Sequence, residues 1–447
     1  MDPIVVAACI ALSMAGCLLG IVSGLIPGIH VNTLAALLLA SYPSIEAALP
    51  LEPEASAVAV ACCVMSASVV HSFLDFVPSV FIGAPDSEDA ISVLPGHRLL
   101  LAGRGMEAVR AAAIGSLVGC SAAVVLAVPL QWVLIHGADE LLSMMTPAVL
   151  IVASMALVIG EIRRGTGAWG PFLFILSGLL GLGCMVLPIG TEGIIGGGSV
   201  MMPLLTGLFG IPVMISGSSG GRVPPQTDRI RDPVGLRPGL KGIVMGTAAG
   251  WFPGITSTVG ASLSAMVLPE RRASGFISMV ASIGSVTAVL SLVTLSVSGS
   301  GRSGTALVIG EIIGDSLSGF ATHSFMMVLL SAALGSLAGY VLTIMFGKLF
   351  SDAVEAMDQR TLSRTVLLAL IALTIALTGP SGLLVLIISA SVGMIPRYAG
   401  TGRIILCGCL ILPVLVFKAG LFRSLRKLGR GLRHELIIVD HESLVRP

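Results

Sequence analysis

Two short stretches pose the chemical question: "GLIPGIH" at residues 24–30 and "GWFPGIT" at residues 250–256. Each sets Pro-Gly inside an apolar run. Proline removes a backbone donor and clashes with the preceding turn, so a helix breaks there. In hydrocarbon an unsatisfied backbone group costs several kcal/mol, so a break survives only where protein, water or a ligand meets the freed groups. After Pro27-Gly28 the chain reads Ile29, His30, Val31, Asn32 and Thr33, and then stays apolar to Ala40. After Pro253-Gly254 it reads Ile255, Thr256, Ser257 and Thr258. A helix restarting at either place presents free N–H groups and small polar side chains at an end that carries about +0.5 charge. The chemistry expected of it is anion binding. The substrate-binding candidates are Gly24, Pro27, Gly28, His30, Asn32 and Thr33 at the first break, with Gly250, Pro253, Gly254, Thr256, Ser257 and Thr258 at the second. The plainer reading, that Asn, Ser and Thr cap their own helices, is compatible with ligand binding.

Other ionisable groups fall in or beside apolar runs, where they are costly and usually functional. His71 and Asp75 are spaced i, i+4 and share a helix face; they could carry a coupling proton or bind Na⁺. Glu311 and Asp315 repeat that spacing and are the other coupling-ion candidates. Asp86, with Glu88 and Asp89, follows Pro85 and reads as the acidic first turn of a helix. Asp86, His97, Arg98, Arg104 and Arg302 are substrate-path candidates. Among eight cysteines Cys407 and Cys409 are the only closely spaced pair besides the adjacent Cys62 and Cys63, and no second spaced pair or histidine completes a zinc site; no metal or cofactor is expected. No nucleophile–base pattern points to catalysis, although an intramembrane hydrolase using His30 or His71 remains an open alternative.

The elements that must position these groups follow from composition. Of 447 residues 55% are hydrophobic and 11% charged, with mean hydropathy +1.00. A soluble chain carries roughly 25% charged residues. An all-α, multi-pass protein of the cell membrane is expected, with about 20 apolar residues per span. The first apolar run has no basic flank or cleavage site and reads as a membrane segment of the mature protein. Continuous runs lie at 55–83, 108–135, 143–161, 168–189, 194–215, 276–298 and 323–347, with shorter runs at 365–379 and 381–396 and one at 404–421. With the two broken stretches, 4–40 and 242–268, this gives about 10–12 segments. Net charge +1 gives no reason to expect nucleic acid as a partner.

Basic loops mark the inside. Arg98 and Arg104, then Arg163 and Arg164, then the loop 216–241 alternate with the acidic loops 41–54, 136–142 and 190–193. Residues 20–39 and 246–265 align without gaps, sharing Gly20/Gly246, Gly24/Gly250, Pro27/Pro253, Gly28/Gly254 and Ile29/Ile255. A weaker echo relates 103–115 to 301–314 and sets Arg104 inside but Arg302 outside. Two units entering from opposite faces are the mark of an inverted-repeat transporter. The expected division is a first transmembrane repeat at 1–215, a cytoplasmic linker at 216–241, a second repeat at 242–421 and a basic cytoplasmic tail at 422–447.

The pieces "GIVSGLIPGIH", "GAPDSEDAISVLPGHRLLLAGRG", "PLLTGLFGIPVMI" and "GMIPRYAGTGRIILCGCLILP" resemble the large membrane subunit of tripartite tricarboxylate transporters, the TctA family. "HSFLDFVPS" is similar to that family's archaeal branch. The resemblance implies a permease for an anionic carboxylate, working with a small membrane subunit and an extracytoplasmic binding protein. It carries the motif onto Gly24, Pro27, Gly28, Gly250, Pro253 and Gly254. The expected function is secondary active transport of a small organic anion coupled to H⁺ or Na⁺ across the bilayer. Homodimerisation is a prior for this class only. The alternative is a transporter of a polyprenyl-phosphate-type lipid carrier, with Arg104 and Arg302 as headgroup candidates.

Overall fold

The computed structural model describes residues 2–26, 31–83, 90–187, 189, 193–194, 200–217, 223–228, 230, 232–251, 257–299, 303–355 and 358–418. Both Pro-Gly pairs and the tail 422–447 therefore lie outside the described residues.

The described chain is almost wholly helical. The first half contributes α1 (Pro3–Leu25), α2 (Val31–Ala48), α3 (Pro53–Leu74), α4 (Phe76–Phe81), α5 (Val93–Leu101), α6 (Gly105–Val133), α7 (Asp139–Glu161), α8 (Trp169–Val186), α9 (Met201–Leu205) and α10 (Ile211–Gly217). The second contributes α11 (Arg237–Trp251), α12 (Ser257–Val267), α13 (Ala273–Ser298), α14 (Gly304–Ile313), α15 (His323–Glu355), α16 (Gln359–Ala399) and α17 (Gly408–Lys418). Local chemistry sets several ends. Asp2 caps α1 by accepting from the Ile4 N–H at 2.9 Å, with Pro3 in the first turn where its missing donor costs nothing. α13 and α16 stop at Gly299 and Gly400, whose φ of 65° and 69° favours glycine.

Eight described helices have the length and apolarity to cross a membrane, and Met201–Gly210 and Arg403–Phe417 are shorter apolar helices. The chain is thus an all-α polytopic membrane protein. Two sequence expectations change in detail. Within the run expected at 194–215, the described helix begins at Met201 and carries a π turn at Thr206–Gly210. The runs 365–379 and 381–396 join in α16, with the interruption confined to Gly379 at φ 66°, ψ −163°. Pro380 cannot donate to the preceding turn, and glycine absorbs the distortion.

Glycine sets the close approaches. Gly16, Gly20 and Gly24 of α1 face Cys63, Val70 and Leu74 of α3. A methyl at Gly20 would sit 2.7 Å from the Ala67 carbonyl. On α11, Gly242, Gly246 and Gly250 face Met279, Val286 and Leu290 of α13, and a methyl at Gly246 would sit 2.8 Å from Val286 Cβ. Residue numbers rise together in both contacts, so each pair is parallel. The next helices cross over. α6 runs parallel to α13, with Gly119 against Ser282, and α15 runs parallel to α3, with Gly335 against Ser66. α6 and α15 are antiparallel: Gly347 meets Val109 at one level, and Cys120 approaches the Ala332 carbonyl at another, 3.9 Å away. It follows that α11 and α13 run opposite to α1 and α3.

Leucine at Gly119 or Gly335 should overpack these crossings at a cost of roughly 1–3 kcal/mol. Both variants should melt below wild type in detergent, while Val125→Leu, at a side chain 75% exposed, should not. Three coincident melting curves would refute the packing account.

Candidate functional site

At the first break, Gly24 ends α1 against α3, where an added methyl would stand 3.1 Å from the His71 carbonyl. His71 Nδ1 lies 3.2 Å from Ser23 Oγ, tying the last turn of α1 to α3 through a polar contact. His71 and Asp75 are each 4% exposed, and the Asp75 N–H donates to the His71 carbonyl at 2.9 Å. The expected i, i+4 pair therefore lies buried beside the point where α1 stops.

Asn32 stands in the first turn of α2. Its Oδ1 accepts from the Thr305 N–H at 3.1 Å, so it caps α14 in the other half of the chain as well as belonging to the break. Gly304 makes room: a methyl there would be 2.6 Å from Asn32 Cγ. Ser303 caps the same helix, accepting from the Ala306 N–H at 3.1 Å, with Ser291 Oγ 3.4 Å and Thr305 Oγ1 3.0 Å from its own hydroxyl. Asn32, Ser291, Ser303 and Thr305 thus form one polar cluster. The candidates Pro27, Gly28 and His30, and the side chain of Thr33, lie outside the described residues.

At the second break, Gly250 meets Leu290 on α13, a methyl being 3.0 Å from Leu290 Cβ. Ser257 and Thr258 open α12 and are both buried. Trp251 Nε1 and Ser257 Oγ, one on each side of this break, are buried with no hydrogen-bond partner among the described residues. The Thr258 carbonyl accepts from Ser262 Oγ at 2.7 Å, and that hydroxyl also reaches Cys407 Sγ at 3.0 Å. Pro253, Gly254 and Thr256 lie outside the described residues.

The remaining candidates separate. His97 is buried, and neither ring nitrogen has a partner among the described residues. Arg98 is exposed, as are Glu311 and Asp315 on α14 and the turn after it. Arg104 is committed to Glu107 through two bonds of 2.7 and 2.8 Å, which explains why it does not stand as a free cation. Asp86 and Arg302 lie outside the described residues.

Sequence reasoning missed two polar centres. Gln131, fully buried on α6, donates to Ser296 Oγ and the Gly319 carbonyl and accepts from the Ala321 N–H, each at 2.9 Å. At the opposite end, the linker segment 223–228 is pinned beneath the helices. The Thr227 N–H donates to the Gly103 carbonyl at 2.9 Å, and Gln226 accepts from the Gly105 N–H at 2.8 Å. Asp228 takes two bonds from Arg110, at 2.5 and 2.8 Å, and lies 3.4 Å from Lys348 on α15. Arg110 inside the apolar run of α6 was the available signal. Hydrogen bonding to Arg110, joined by the Lys348 charge, holds the Asp228 carboxyl below its usual range.

Crossing helices that bury a histidine, an aspartate and hydroxyl clusters inside their apolar lengths define a multi-pass membrane protein built around polar groups within its spans. Comparison makes the class specific: residues 10–408 match the tripartite tricarboxylate transporter TctA family, and the chain belongs to that family. It is also 28% identical over 303 residues to an uncharacterized protein of Methanocaldococcus jannaschii, covering 66% of this chain and 70% of the relative. No solved structure matches.

The Asp228 contact carries a pH dependence. Because the folded carboxyl titrates lower than the unfolded one, its stabilisation is complete above the ordinary aspartate value of about 3.9 and disappears as pH falls through the lower folded value. Hydrogen exchange over 223–236, corrected for intrinsic rates, should stay slow from pH 7 to 5 and accelerate below about 4. Asp228→Asn should be fast throughout. Equal protection in both proteins at pH 7 would show that the ion pair does not hold the linker.

Proposed function

We propose that the chain is the permease subunit of a secondary active transporter that moves a small carboxylate past the two Pro-Gly breaks, coupled to H⁺ or Na⁺. The observation that carries this reading is the pair of buried donors flanking the second break, Trp251 Nε1 and Ser257 Oγ, which have no partner among the described residues. Both can donate to an anion. An unpaired buried polar group costs about 1–3 kcal/mol, so a ligand oxygen that accepts from them is stabilised. Asn32 stands beside the first break, and Gly28, His30, Gly254 and Thr256, outside the described residues, complete the proposed site. His71 and Asp75 are the coupling groups of choice, being buried where Glu311 and Asp315 are exposed.

The proposed division into two repeats of opposite direction draws support from the reciprocal packing. The glycines of α1 and α11 stand 226 positions apart in each of three pairs, the separation of the two Pro-Gly motifs. A repeat with this relation places equivalent half-helices from opposite faces of the bilayer, which suits alternating access. The family's tripartite character supports a small membrane subunit and an extracytoplasmic binding protein as partners. The lipid-carrier alternative is weakened by Arg104, which is bound to Glu107.

Purified protein in proteoliposomes tests the proposal. Labelled di- and tricarboxylates should accumulate under a H⁺ or Na⁺ gradient, and a ligand at 100 times its dissociation constant should stabilise the protein by about 2.7 kcal/mol. Replacing Ser257 by Ala should weaken that response about tenfold, the loss of one charge-assisted bond. Stabilisation by a polyprenyl phosphate, with no carboxylate uptake under either gradient, would overturn the carboxylate reading.

A further inference from the structure

A cavity of about 190 Å³ lies between the start of α5, the π turn before α10, the start of α13 and the turn 402–404. Its walls are apolar, from Ile91, Leu94, Pro95, Phe209, Phe276 and Ile404. Among the described residues, Arg403 is the one charged residue that lines it. Its Nη1 is buried and has no acceptor among the described residues. Among the described residues, its charged neighbours are Arg98 and Arg397, both cations.

The carboxylate bonded to the same turn is already used. Glu161 accepts from the Gly402 N–H at 3.1 Å with one oxygen and from Arg164 Nη1 at 2.8 Å with the other. It fixes the backbone beside Arg403, and no bond joins it to the guanidinium among the described residues. A buried guanidinium nitrogen without an acceptor is expensive, and an oxyanion bonded to it removes that cost. Size limits what the anion can carry. An apolar cavity of about 150 Å³ accepts benzene, so this one holds a body of that size with a single charged group at its mouth. A second or third carboxylate would face Phe209 and Phe276 without a partner.

We propose that this cavity binds an amphiphilic monoanion: one carboxylate or phosphate-type group on Arg403, and an apolar body about the size of a benzene ring against Phe209 and Phe276. The site is separate from the two breaks in its chemistry, and it requires no transport to exist.

Calorimetric titration of the full-length protein in detergent with benzoate tests it. Wild type should bind benzoate at least about tenfold more tightly than benzyl alcohol, citrate or inorganic phosphate. Arg403→Gln should lose that tenfold, Arg403→Lys should keep part of it, and Leu94→Phe, filling the cavity from its apolar side, should abolish it. Decanoate separates the sources. Competition by decanoate through Arg403 would assign a membrane-derived acid, and its failure to compete a free small acid. Benzoate binding unchanged in both Arg403→Gln and Leu94→Phe would overturn the proposal. So would equal affinity for benzoate and benzyl alcohol, or a ligand-free Arg403→Gln protein that loses stability while benzoate affinity holds, which would assign the guanidinium to an internal carboxylate. Carboxylate uptake in proteoliposomes is read independently, so either reading can fail while the other stands.

Discussion

Helices inside a bilayer gain little from burying apolar surface against one another, because lipid is as apolar as leucine. What brings them together is the distance to which their backbones can approach. The rest of this structure depends on that approach. Where Gly20 meets the Ala67 carbonyl and Gly246 meets Val286, no side chain larger than hydrogen fits. These contacts lock α1 onto α3 and α11 onto α13 at one depth each. Because Gly24 and Gly250 are the last of each series, the register they impose ends where each Pro-Gly break begins. The helix ends that lead into the breaks are thereby held against α3 and α13, the most enclosed helices of the bundle. A wider contact would leave them adjustable, and a polar site built on them would lose its geometry.

Among the polar contacts that join the two halves, three lie at different depths. Gln131 ties α6 to the end of α13 and the turn before α15. Asn32 ties α2 to α14. Asp228 ties the linker to α6 and α15 at once. Each joins groups from both sides of the linker, so no half can shift without altering at least one of them. The first two are neutral and local. The third is ionic and lies at the end of the spans, where water can replace it at lower cost. That ordering makes the linker contact the softest of the three.

The legible part of the fold was the part written as composition and period. Apolar length predicted the spans, and Pro-Gly with its matched flanks predicted where two of them stop. The buried His71–Asp75 pair was readable because charge is rare in such runs. What could not be read was anything that depends on the partner across a crossing. Asn32 looked like a cap for its own helix, and it caps α14. Arg104 was a substrate-path candidate, and it is bonded to Glu107, three residues on. Glu311 and Asp315 share the spacing of His71 and Asp75 yet are exposed, since spacing fixes a helix face but not which way that face turns. Gln131 gave no signal, because one amide in an apolar run is interpretable only when its acceptors are known.

The bond from Asn32 to α14 has a further consequence for how a polar site could open. A site made within one half would keep its geometry as that half moved. Here the donor is the backbone of Thr305 and the acceptor is a side chain in the first turn of α2, so the polar cluster is complete only while the two halves hold this position. Ser303 contributes from the α14 side and can serve its own helix if the contact parts, because its hydroxyl already accepts from Ala306. Separation would free an amide oxygen beside the first break and a backbone N–H at the start of α14, the second of which suits an anion. A ligand oxygen accepting from the Thr305 N–H would compete directly with Asn32 for that donor.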